Sequence, residues 1–194
     1  MDGTALFIRQ ERVLATAPLA ITVQPFSAAL PLLDGAVRVY TETWGRAWDP
    51  SYAFFVRYTE HPDFLGFVAL HLGAPVGMGF GHRSLPGQWW HDAVAAHVGP
   101  DNPALERAWV LVELAVLPSY QGQGIGGLLH DTLLDAQPYD RALLSTEVTN
   151  ARARAMYERR GWLYLHSGFP FAAGQPRFLV MHREVRHTRE DRQD

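Results

Sequence analysis

The chain has 194 residues, 47% of them hydrophobic and 12% aromatic, which suits one domain with a sizeable core and excludes a disordered or low-complexity chain. A formal charge of -3 gives no global basic footprint for nucleic acid. With no cysteine there is no disulfide framework, thiolate nucleophile or cysteine metal site.

Residues 1–18 read as an N-terminal extension, and Met1–Gln10 lacks the basic-then-apolar order of a secretory signal. No apolar run reaches membrane-spanning length, so the expectation is a cytoplasmic protein that uses neither membrane nor nucleic acid. Leu19–Gln24 is the first strand, ended by Pro25. Ser27 is a helix cap, and Leu30, Leu33, Val37 and Tyr40 recur at helical spacing, predicting a helix over Ser27–Thr43. Trp44–Pro50 reads as a loop, and Tyr52–His61 as a second helix closed by Pro62. Phe67–Leu72 and Val76–His82 form a hairpin through Gly73-Ala74-Pro75. In its second strand Gly77, Gly79 and Gly81 leave one face bare, which calls for close approach by a crossing helix or a ligand.

A long connection, Arg83–Ala108, follows, with Asp92–Val98 as a short helix ended by Gly99-Pro100. His91 and His97 are six residues apart, so they do not share a helical face, and no metal site is expected. Trp109–Val116 has the composition of a buried strand. Leu117–Gln123 is a loop, and from Gly124 the residues Ile125, Leu128, Leu129, Thr132 and Leu133 recur at helical spacing until Pro138. Ala142–Val148 is a strand. Thr149 or Asn150 caps a helix running to Arg160, which Gly161 stops. Trp162–His166 and Arg177–Arg183 are the last strands, and 186–194 is a charged tail. This order predicts an α+β (mixed α/β) domain over 19–185. Its mainly antiparallel, twisted sheet would have about six or seven strands, with helices on both faces.

Strand, glycine loop, helix start is a site for phosphate oxygens, because several backbone N–H groups point out at the positive end of a helix. Two motifs overlap there. Gly122, Gly124 and Gly127 satisfy G-x-G-x-x-G, the dinucleotide fingerprint. That fingerprint wants its first glycine at the strand's end, whereas Leu117–Gln121 intervene, and its acidic partner would have to be Glu147, somewhat late. Gln121, Gly124 and Gly126 satisfy Q-x-x-G-x-G, set behind Leu114-Ala115-Val116 and Pro118.

At Gln121–Gly126 the chain resembles the GNAT superfamily of acyl-CoA-dependent N-acyltransferases. The resemblance continues in Asn150, Ala153 and Tyr157, then Gly161-Trp162, which look like the family's N-x-x-A-x-x-x-Y…G-[FW] segment. It covers Trp109–Leu165 well and the N-terminal half only in element order. It implies that strands 109–116 and 142–148 run parallel but splay apart. Acyl-CoA, acetyl-CoA in the first instance, would sit in the gap, paired with Leu114, Ala115 and Val116. Its diphosphate would lie on Gln121, Gly122, Gln123, Gly124, Ile125, Gly126 and Gly127. Gln121 takes a position where the family admits Gln or Arg. Because the family's connection before the first of these strands is usually short, 83–108 is an insertion.

Acyl transfer to an amine poses two proton problems: an amine of pKa roughly 10.4 must lose a proton, and the departing thiolate must gain one. Tyr157 is the candidate acid, seven residues from Asn150 and so nearly on its face, with Ala153 between them, small enough for a cofactor to lie close. The alternative is a tyrosine that only packs its helix on the sheet. Glu113, an acid in an apolar strand, is the candidate base, and a bulge would decide which way it points. His82 and Glu147 are reserves. Trp44, Trp48, Tyr52, Trp89 and Trp90 are candidate acceptor contacts, with core or lid packing as the alternative. The expected acceptor is a primary amine on a small molecule or peptide. A homodimer is compatible with the sequence. The competing readings are an acyl-CoA-binding module without turnover and a dinucleotide-dependent oxidoreductase.

Overall fold

The computed structural model describes residues 19–29 and 31–185. The 1–18 extension, Leu30 and the 186–194 tail lie outside the described residues. A seven-stranded sheet has the order β1-β2-β3-β4-β5-β7-β6, and every neighbouring pair is antiparallel except β4–β5. Its strands are β1 (Ile21–Pro25), β2 (Leu65–His71), β3 (Ala74–Arg83), β4 (Ala108–Val116), β5 (Arg141–Glu147), β6 (Leu163–Pro170) and β7 (Arg177–Glu184). The helices are α1 (Leu33–Trp44), α2 (Trp48–Thr59), α3 (Trp89–Val98), α4 (Ile125–Ala136) and α5 (Ala151–Glu158). The mixed, mainly antiparallel sheet with helices on both faces is the architecture the element order predicts.

The starts of three helices differ from the sequence reading, β1 includes Pro25, β2 and β3 start two residues early, and β6 runs four residues past His166 to Pro170. The first helix starts at Leu33, six residues past Ser27, with Leu32 as its cap. The second starts at Trp48, so most of the expected loop 44–50 is helix. Ala47 is its extended cap, and Pro50 falls in the first turn, where its missing N–H costs nothing. The third starts at Trp89 and not Asp92.

Helices α1 and α2 bury Leu33, Val37 and Phe55 against Val68, Met78 and Phe80 on one face. On the same face α3 packs Val94 and Ala95 against Val110, Leu143 and Val180, and Ala104 and Leu105 of the following 3-10 turn join them. The 83–108 connection is therefore part of the core's cover over β4, β5 and β7. Helices α4 and α5 take the opposite face through Leu133, Leu134, Tyr157 and Trp162.

The bare face of β3 is explained by this second layer. A Cβ on Gly77 would lie 3.0 Å from Leu129, and one on Gly79 would lie 2.9 Å from Leu133, so α4 crosses the sheet over these two glycines. At Gly81 the Trp109 ring fills the space, and a Cβ would stand 2.1 Å from the Val110 carbonyl oxygen. Backbone cannot yield as a flexible side chain can. Gly81→Ala is therefore expected to destabilise the fold by about 2–3 kcal/mol, read as a lower midpoint in urea denaturation; an unchanged midpoint would mean that the strand shifts freely. Among the described residues, no helix is long and apolar enough to cross a membrane.

Candidate active site

Strands β4 and β5 begin as a parallel pair at Ala108 opposite Arg141 and remain paired only as far as Leu111 opposite Leu144. Beyond that, β4 runs on to Val116 and β5 to Glu147 with no pairing between them. Each is held on its other side, β4 by β3 and β5 by β7. The result is a wedge whose β4 edge carries unpaired backbone groups, available to an amide-bearing ligand.

A bulge marks the start of the wedge. Phe80 pairs with Glu113, but the next residue of β3, Gly81, pairs with Leu111, leaving Val112 as the extra residue. The packing records the same slip. Leu111 and Leu114 belong to the α4/α5 side, whereas Val112 and Ala115 belong to the α1/α2 side. Strict alternation would have put Glu113 with Leu111; the bulge puts it with Val112 and Ala115. There its charge raises the pKa of both Tyr40 and Tyr58, after burial as the larger cause. Burial in turn holds the Glu113 carboxyl up at about 7, and Arg46 pulls it partly back.

A cleft of about 440 Å3 runs along the wedge. Leu114, Ala115 and Val116 form one wall, and Asn150, Ala153, Met156 and Tyr157 the other. Gln121, Gly122, Gly124, Gly126 and Gly127 close its end. Gly122 and Gly124 have φ of 81° and 85°, values that favour glycine. Gly124 is also the cap of α4 and has no side chain to satisfy the first N–H groups of that helix, which leaves them for an anion. Ile125 and Gln123 contribute no side chain to the lining. Ile125 is 2% exposed and packs with Val76 and Leu129, and Gln123 bonds the Ser119 carbonyl at 3.2 Å. Buried Ile125 can meet a ligand only through its backbone.

On α5, the Asn150 carboxamide oxygen accepts from the Ala153 N–H at 3.1 Å and so caps the helix. The Tyr157 ring is buried among cleft and core. Burial, and then the Glu113 charge, raise its pKa above the usual tyrosine value, so it stays protonated. Its ring meets the Trp162 ring edge-on, with centroids 5.8 Å apart. Trp162 donates from its indole N–H to His130 Nε2 at 2.8 Å. Burial keeps His130 neutral, and its Nδ1 donates to Asp131 at 2.7 Å. This chain fixes the α5 end, and Tyr157 with it, on α4.

Of the five aromatic residues expected at the acceptor side, Trp44 lines the cleft, beside Thr43. Trp48 stacks on Tyr52, with centroids 6.1 Å apart. Trp89 leans on Phe171 at 5.2 Å. Trp90 donates to the Ser145 hydroxyl at 3.0 Å, at the first β5 residue past the paired segment. Sequence reasoning missed Tyr120, Arg152, Met156, Arg159 and Arg160 in the lining. Arg152, Met156, Arg159 and Arg160 recur at i, i+4, i+7 and i+8, a face of their own beside the one shared by Asn150, Ala153 and Tyr157, so spacing counted from Asn150 does not find them. Neither Glu113 nor Glu147 lines the cleft; His82 is buried, stacked on His61 at 4.2 Å, its pKa lowered to about 4 by burial.

A splayed parallel pair, an uncapped helix start behind a glycine loop, and a tyrosine-bearing helix across the gap define an acyl-CoA-dependent N-acyltransferase. The chain belongs to the GNAT acetyltransferase family, whose model matches residues 30–162. It is 31% identical over 156 residues to the GCN5-like protein acetyltransferase Rv2170 of Mycobacterium tuberculosis, covering 72% of this chain and 76% of that one. In fold it is similar to the ribosomal-protein-S18-alanine N-acetyltransferase of Escherichia coli, with a TM-score of 0.62, 18% identity, and 90% and 99% of the two chains covered. It is also similar to an aminoglycoside 6'-N-acetyltransferase complexed with coenzyme A, with a TM-score of 0.60, 16% identity, and 86% and 98% covered.

Proposed function

We propose that the chain moves an acetyl group from acetyl-CoA to a primary amine of a small molecule or peptide by direct attack. The observation that carries this reading is the splayed β4–β5 wedge, with the bulge at Val112 turning Glu113 to one side of β4 and Tyr157 standing on the other. Glu113 is poised near neutrality on the α1/α2 side of β4, and Tyr157 is held protonated on the α5 side. Burial raises both groups, which leaves the tyrosine protonated and the glutamate able to take and release a proton near neutral pH.

Acetyl-CoA, when bound, supplies a thioester that an amine can attack without a covalent enzyme intermediate. Glu113 takes the proton of the incoming ammonium, which reaches it from the α1/α2 side. Tyr157 gives its hydroxyl proton to the leaving sulfur. The free edge of β4 and the Asn150 amide NH2 group orient the donor's amides, and the first N–H groups of α4 hold its diphosphate. The acceptor class draws support from the relatives: one is named a protein acetyltransferase, one acts on a ribosomal-protein alanine, and one is an aminoglycoside enzyme that carries coenzyme A.

Calorimetry with acetyl-CoA and NAD(H), followed by thiol release across a panel of amines, tests the proposal. The expected result is binding of acetyl-CoA alone and amine-dependent thiol release. Binding without release for any amine would favour the non-catalytic reading, and binding of NAD(H) alone would overturn the donor.

A further inference from the structure

The glycine loop offers an anion only neutral donors. Gln121, where the family motif admits an arginine, carries no charge, and both ends of its carboxamide are engaged. Its Nε2 donates to the Val116 carbonyl at 2.9 Å, and its Oε1 accepts from Arg152 Nη1 at 2.8 Å. Arg152 reaches the loop from the first turn of α5. Its Nη2 lies 3.4 Å from where a Cβ on Gly122 would stand, so the guanidinium is laid against the loop itself.

Three arginines of this segment, Arg152, Arg159 and Arg160, line the cleft, and Arg152 is the one bonded to Gln121 and laid against Gly122. Arg160 is neutralised by Asp131 at 3.0 Å and lies across Gly127. Arg152 bonds a neutral amide oxygen, and among the described residues no carboxylate pairs with it. It also occupies a position that disfavours a cation. The first turn of α5 is the positive end of that helix, and it contains no acidic residue. A charge placed against a helix dipole, tethered by a neutral amide and facing an uncapped helix start across a cleft, lacks only an anion.

We propose that Arg152 is the cation of the donor site and grips the diphosphate of the acyl-CoA from the α5 side of the cleft. The inference rests on the acyl-CoA reading of this cleft. Gln121 is the positioning residue: it fixes one edge of the guanidinium fork and leaves the remaining N–H groups for phosphate oxygens. The charge that other members of the family can place in the loop is carried here by the facing helix.

The test is calorimetry on the full chain with CoA and with 3'-dephospho-CoA at low and high salt, for wild type, Arg152→Gln and Gln121→Ala. Arg152→Gln is expected to weaken both ligands about equally, by roughly tenfold or more, and to flatten the salt dependence of binding. Gln121→Ala should cost less and keep the salt dependence. The ligand-free melting temperature of Arg152→Gln should match or slightly exceed that of wild type, since a charge opposed to the α5 dipole has been removed. Unchanged affinities would overturn the proposal, and so would a loss confined to CoA, which would put the 3'-phosphate on Arg152. Equal losses in the two variants with an unaltered salt dependence would reduce Arg152 to a loop tether. Failure of the wild type to bind either ligand would instead sink the acyl-CoA reading.

Discussion

Tyr157→Phe is expected to lower kcat by about 10²–10⁴-fold, the range for loss of a general acid, while acetyl-CoA affinity changes little. The argument separates the hydroxyl from the ring. The ring packs in the α4/α5 core with Leu133 and Trp162 and meets Trp162 edge-on. Phenylalanine keeps those contacts, so folding should survive and the variant should melt close to wild type. The hydroxyl is the part that serves the reaction. Burial and the Glu113 charge both disfavour the phenolate, so Tyr157 arrives at the reaction with its proton. A thiolate is a weaker base than a phenolate, so the hydroxyl acts by hydrogen-bonding the sulfur as charge develops there and passes its proton only as the carbon–sulfur bond breaks, the phenolate then recovering a proton from water. Single-turnover thiol release at saturating acetyl-CoA reads the step directly. A full rate in the variant would leave Tyr157 as packing and assign the leaving group's proton to water.

The donor end of the site is legible in the sequence because its chemistry is local. Gly122 and Gly124 are glycines because their φ values favour glycine, and Asn150 caps α5 through its own side chain. Such choices are written in a few consecutive residues. The direction of Glu113 is not. Trp109–Val116 is apolar on both faces around it, and only the register against β3 reveals the extra residue at Val112. A bulge is a property of two strands, and one strand's sequence does not carry it. The start of α3 fails for a related reason. Trp89 and Trp90 read as loop because their partners, Phe171 and Ser145, are far away in sequence. Arg152 reads as a spacer between Asn150 and Ala153 until Gln121 is found beside it. What was hidden is what depends on pairing between distant segments.

Glu113→Gln is expected to trade activity for stability, and both halves follow from one pKa. In wild type, kcat/KM should rise with pH through about 7, where Glu113 loses its proton and becomes able to accept one. Glutamine removes that limb and leaves only the amine's own ionisation near roughly 10. At pH 8 the loss should be about 10²–10⁴-fold. The stability change has the opposite sign. The folded state holds Glu113 at about 7, above its ordinary 4.5, so between those values the folded chain binds more protons than the unfolded one. The free energy of unfolding therefore falls as pH rises through that window, and above it the buried carboxylate is a standing cost. At 1.36 kcal/mol per pKa unit the cost is on the order of 3 kcal/mol, the attraction of Arg46 already included. Glutamine fits the same space without the charge. The variant should thus melt a few degrees above wild type at pH 8 and alongside it at pH 4. Paired pH–rate and pH–melting profiles of the two proteins check both halves at once. A base that faced solvent would show the rate loss without the stability gain, and a carboxylate serving only structure would show the reverse.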